Sequence, residues 1–139
     1  MVDNGGVSME KTTGGIRIEH LEDFSQVFQE TFNAGDLDGL VSLFEPEAVL
    51  VAAPSQVATG TDAIREALAG FLAAWGHFEI KVLSRHQVGD IGLQTAEWKV
   101  ENSDPDDSPR TLSARPVHVF RRQADGSWRY LIDNAFPFG

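Results

Sequence analysis

Over residues 18–75 most apolar side chains recur at intervals of three and four, and from residue 77 onward at intervals of two. The first period is that of a helix with one buried face, the second that of a strand. Leu21, Phe24, Val27, Phe28, Thr31 and Phe32 predict a helix over residues 18–33. It ends at Asn33-Ala34-Gly35, where glycine takes the left-handed terminal conformation at little cost. Asp36 then caps a second helix, with Leu37, Leu40, Val41 and Phe44 on one stripe and Pro46 as its stop. Residues 48–52 are a run of small and branched apolar side chains and predict a buried strand. Thr61 or Asp62 caps a third helix carrying Ile64, Leu68, Phe71, Leu72 and Trp75, which Gly76 terminates.

Beyond that point the alternation predicts strands. Phe78, Ile80 and Val82 share one face, and after a turn at Gly89-Asp90 so do Ala96, Trp98 and Val100. Residues 102–110, with two prolines and three aspartates, predict a polar connection. Two further strands, over 112–122 and 128–135, are joined through Ala124-Asp125-Gly126-Ser127, a hairpin signal. Three helices followed by a run of strands make an α+β domain. Residues 1–17, rich in Gly, Thr, Ser and Asn, predict a flexible tail, and residues 18–139 the folded domain.

A chain of 139 residues with 42% hydrophobic content can bury one core without a metal or disulfide. It has no cysteine, which removes disulfides and thiol chemistry. A formal charge of −10 repels phosphate backbones, and no Lys/Arg stripe offsets it, so nucleic acid is not an expected partner. No apolar run approaches the roughly 20 residues of a membrane helix, and the cytoplasm is the expected compartment. The four histidines are too scattered for a metal motif, and no Gly-rich phosphate loop or nucleophile elbow is present, so no cofactor is expected.

Three stretches, Phe32-Asn33-Ala34-Gly35-Asp36-Leu37-Asp38, Gly60-Thr61-Asp62-Ala63-Ile64-Arg65-Glu66 and residues 121–130, resemble the NTF2-like superfamily, which includes ketosteroid isomerases and SnoaL-like cyclases. The resemblance covers residues 20–138. It implies an NTF2-like cone: three N-terminal helices packed on a strongly bent antiparallel sheet that encloses an apolar pocket. It also implies a homodimer formed through the outer sheet face. The steroid isomerase uses an aspartate base, a tyrosine and a protonated aspartic acid. Those positions correspond here to Ala52, Phe28 and His118, so two of the three lack a transferable proton and the steroid mechanism does not carry over.

Two other residues carry candidate acid–base chemistry. Asp133 lies in an otherwise apolar final strand, where a carboxylate against an apolar wall can serve as a general acid or base. It could equally pair with Arg115 or face water. His118, inside another strand, could relay protons or simply pack against a hydrogen-bonding neighbour. Phe28, Ala52, Trp75, Trp98 and Phe120 are the expected pocket wall for a small apolar molecule. The face of Trp128, Tyr130 and Ile132 is opposite Asp133 by simple alternation, which points to a subunit interface at Tyr130 if Asp133 faces the pocket. The two expectations for the whole are a pocket protein with cofactor-free proton transfer by Asp133 and His118, and a non-catalytic binding or association module.

Overall fold

A computed structural model describes residues 10–12, 15–102, 106 and 108–137. Most of the expected tail lies outside them, but its last part does not. Glu10–Thr12 (β1) pairs antiparallel with Gly15–Arg17 (β2), and Ile16 is buried with its N–H donating to Ser42 Oγ at 2.9 Å. Gly15 has φ +102°, and any side chain there would collide with Ser42 Cβ. Residues 15–17 therefore belong to the packed body, one apolar side chain and one glycine being enough to dock them.

The first helix begins later than the periodicity predicts. Residues 18–20 lie outside any helix, with His20 extended, Leu21–Asp23 form a 3₁₀ turn, and α1 is Phe24–Asn33. Gly35 reverses the chain at φ +69°, and Asp36 Oδ1 accepts the Gly39 N–H at 2.9 Å to cap α2, Leu37–Ser42. Pro46 does not end α2. The helix closes at Ser42, and Phe44 and Pro46 lie in β3, Phe44–Ala53. Having no N–H, Pro46 cannot donate to the ladder, and the pairing is irregular between Phe44 and Val49.

After β4 (Gln56–Thr59), α3 spans Thr61–Ala74. Its N-cap is Gly60 at φ +89°, with no side-chain cap from Thr61 or Asp62. Trp75, expected on the helix, is already extended and opens β5, Trp75–Val88. The strands β6 (Ile91–Asn102), β7 (Thr111–Ala114), β8 (Val117–Arg122) and β9 (Trp128–Asn134) follow. The run expected as one strand over 112–122 is broken between β7 and β8, at Arg115-Pro116.

The sheet runs β4-β3-β9-β8-β6-β5, with β7 also on β6. It is strongly curved, open and mixed: every pair is antiparallel except β3–β9, which is parallel. The helices cover its inner face, giving the expected α+β NTF2-like cone. Helix α1 also ties down the edge strand β5. Asn33 accepts the Phe78 N–H at 2.8 Å and donates to its carbonyl at 3.0 Å, and Gln29 accepts the Ile80 N–H at 2.9 Å. An open edge is thus satisfied by side chains from the helix lying over it.

The core beneath α1 is aromatic. Phe24 packs on Phe120 and Tyr130 with ring centroids 4.7 and 4.6 Å apart, and Phe28 and Phe44 close around the same tyrosine. Tilted and edge-on pairs of this kind add to the burial they accompany.

Candidate functional site

Two irregularities in strand pairing build the site. On β9, Ile132 faces Val119 while Tyr130 faces Phe120, so Leu131 is an extra residue with no partner. Such a bulge shifts the alternation by one. Trp128, Tyr130, Asp133 and Ala135 are all buried, and Ile132 is the residue turned out. Tyr130 therefore faces the interior together with Asp133, not the outer interface that simple alternation predicts. On β5 the pairing skips Leu83 in the same way, which brings Arg85 opposite Gln94 on the inward side.

The register then lines up one transverse row of side chains. Arg85 on β5 pairs with Gln94 on β6, Gln94 with His118 on β8, His118 with Asp133 on β9, and Asp133 with Leu50 on β3. Arg85 Nε donates to Gln94 Oε1 at 3.1 Å. Gln94 Nε2 lies 3.0 Å from His118 Nδ1 and 3.0 Å from Ser25 Oγ of α1. His118 Nε2 is 3.4 Å from Asp133 Oδ1, with the two side chains only 2% and 9% exposed. That approach is outside hydrogen-bond geometry, and Asp133 Oδ1 is buried without a hydrogen-bond partner. Neither alternative for Asp133, pairing with Arg115 or facing water, is realised: Arg115 pairs instead with Glu97.

Asp133 and His118 line a cavity of about 50 Å³ between α1, α3 and the sheet, with Tyr130 beside them and walls of Phe28, Phe71, Trp98 and Ala52. By volume it holds a few waters and is far below the roughly 300–1,000 Å³ of drug-sized sites. Of the expected wall residues, Phe28, Ala52 and Trp98 line it and two do not. Phe120 is fully buried behind Tyr130, stacked on it at 5.1 Å. Trp75, having left the helix, lies beyond Phe71 with the Arg110 guanidinium 5.1 Å over its ring. Among the described residues no cluster of His, Asp and Glu could hold a metal ion.

Tyr130, Gln94 and Ser25 were not expected at the site. Burial, and secondarily the charge of Asp133, push the Tyr130 phenol well above its ordinary range, so it is held as a neutral O–H donor. Gln94 had a legible signal: it shares parity with Ala96, Trp98 and Val100, a polar residue on an otherwise apolar face. Tyr130 had none, because the bulge that turns it inward has no sequence mark in this strand.

The sequence model of the SnoaL-like domain matches residues 25–131. The fold is similar to that of a ketosteroid isomerase-like protein from Erwinia carotovora atroseptica, with TM-score 0.73 at 15% identity over 82% of this chain and 90% of that one. It is also similar to a proposed dehydratase of the NTF2-like family from Streptomyces avermitilis (0.64, 22%, 81% and 89%). A third similar structure is a proposed calcium/calmodulin-dependent protein kinase II association domain from Thiobacillus denitrificans (0.69, 20%, 86% and 95%). At these identities the likeness is one of fold. No curated protein matches the sequence.

Proposed function

The chain belongs to the SnoaL-like domain family, and from that premise we propose that it carries out cofactor-free proton transfer on a small apolar carbonyl compound, as an isomerase, cyclase or dehydratase does. The observation that carries this reading is Asp133 Oδ1, buried in an apolar cavity without a hydrogen-bond partner. A native protein pairs nearly all such atoms, so one left open at a cavity wall is suited to a ligand group.

Asp133 takes a proton from the carbon next to the carbonyl. The C–H electron pair becomes the enolate double bond, and the charge moves to the carbonyl oxygen. Tyr130 donates its O–H to that oxygen, the role an oxyanion donor plays when fixed in a dry site. Return of the proton from Asp133 to the far carbon of a conjugated enolate gives isomerisation, and its delivery to a β-hydroxyl, which then leaves as water, gives dehydration. His118, which lines the same cavity, faces Asp133 across 3.4 Å and steadies the carboxylate. Catalytic contacts that are too long or poorly aligned to count as hydrogen bonds before substrate binds often tighten afterwards.

The experiment is solvent exchange. Small planar carbonyl compounds are incubated with the protein in heavy water, and loss of the α-proton is followed by NMR. Exchange that disappears in Asp133→Asn supports the reading. Exchange that survives the substitution, or its absence across compounds that do raise the melting temperature, leaves a binding module instead. The small cavity and the association-domain fold among its structural likenesses favour that second reading.

A further inference from the structure

We propose that Gln94, itself oriented by Arg85, is a positioning residue that fixes His118 as the Nε2–H tautomer and so aims a single hydrogen at Asp133. The proposal rests on the role of Asp133 given above, and donors and acceptors along the transverse row carry it. An arginine Nε–H can only donate, so the atom of Gln94 lying 3.1 Å from it must be the amide oxygen. The amide nitrogen is then turned to the other side, where it meets Ser25 Oγ and His118 Nδ1, each at 3.0 Å. An amide nitrogen can only donate, so Nδ1 must accept and carries no proton. The ring proton is left on Nε2, the nitrogen 3.4 Å from the unpartnered Asp133 Oδ1.

Burial makes the arrangement binding. Gln94 is wholly buried and His118 nearly so, and no water competes for either polar edge at low cost. The amide has two hydrogens and both are used, one on α1 and one on β8, and turning it over would set donor against donor at Arg85. Arg85 reaches this position only because Leu83 is a bulge. The consequence for chemistry is directional. With its hydrogen on Nε2, His118 turns its one N–H toward Asp133 Oδ1 across 3.4 Å and cannot take a proton through that nitrogen. The carboxylate is therefore the base, and the imidazole orients it, as second-layer partners orient the groups they touch.

Histidine-selective ¹⁵N NMR in mildly alkaline buffer reads the tautomer without any substrate, with His118→Gln identifying the signal. The expected result is an unprotonated Nδ1 and a protonated Nε2. Gln94→Glu presents an acceptor to Nδ1 and should reverse the tautomer, leaving two lone pairs facing each other at Asp133. Arg85→Met removes the donor that orients the amide, and the signal should become a mixture of both forms. Where α-proton exchange is measurable, Gln94→Glu should slow it by about 10- to 100-fold, the usual size of a lost orienting bond. A wild-type ring protonated on Nδ1, or the same tautomer in wild type and Gln94→Glu, overturns the proposal. A tautomer that switches as expected in a protein with no exchange activity overturns the catalytic reading and leaves the orienting role of Gln94 in place.

Discussion

Asp133 and Tyr130 carry separate predictions because they would do different work in the same cavity. Asp133→Asn keeps the shape but cannot accept a proton, so exchange should fall by about 10²- to 10⁴-fold with the near-ultraviolet circular dichroism unchanged. Tyr130→Phe keeps the ring that packs between Phe24, Phe44 and Phe120 and removes only the donor. Exchange should drop by about 10²- to 10³-fold, as for other lost oxyanion donors, while the melting temperature holds or rises. A negative prediction stands beside these. Ala52 and Phe28 both line the cavity where the steroid isomerase has proton-bearing groups, so conversion of a 5-ene to a 4-ene 3-ketosteroid should stay at background in a direct ultraviolet assay.

At the level of elements, the corner between α1 and α2 is held by Gly35 and by the Asp36 cap. Asp36→Ala should lower stability by about 1 kcal/mol in urea titration, with the slope unchanged. The joint between β3 and β8 gives a pH test. Glu45, buried on β3, is gripped by Arg121 through two hydrogen bonds of 2.7 and 2.6 Å and by Gln123 at 2.7 Å. The Arg121 hydrogen bond holds its carboxyl below the ordinary value of 4.5, against the opposing effect of burial. A depressed carboxylate stabilises the fold above its unfolded value, and the contribution is lost as pH falls through the lower folded value. Wild type should therefore exceed Glu45→Gln in stability most clearly near neutrality. The gap should close progressively below pH 4.5 when thermal melts are run as a pH series.

For the whole molecule, no helix among the described residues is long and apolar enough to cross a membrane. The outer face of the sheet has a row that runs Leu93, Val119, Ile132 and Val49 across four neighbouring strands. Leu93 and Ile132 are 46% and 38% exposed, more than an apolar row needs to be unless another surface covers it. We propose that a second copy of the chain covers it. Sedimentation velocity at micromolar concentration should show a dimer, and Ile132→Glu should give a folded monomer, because a carboxylate would otherwise be buried unpaired. A wild-type monomer at that concentration would count against the pairing. Tyr130, which simple alternation would put at this interface, is instead in the core, where glutamate would unfold the protein.

Local pattern alone determined that there are three helices and then strands, though not where each helix starts or stops, together with the Gly35-Asp36 corner and the final hairpin. Each depends on side chains within one or two turns of one another, and their physics is complete over that distance. It also marked Asp133 and His118, since polar side chains inside apolar strands must be either paired or functional. Which face they occupy was beyond it. Side chains alternate along a strand only while the ladder is regular, and the extra residues Leu83 and Leu131 break it where no glycine or proline announces the break. Those two bulges bring Arg85 inward and put Tyr130 beside Asp133. Register across four strands then sets Arg85, Gln94, His118 and Asp133 in one row. That row joins residues up to 48 positions apart in sequence (133 − 85), and only the packing of the whole sheet could select it.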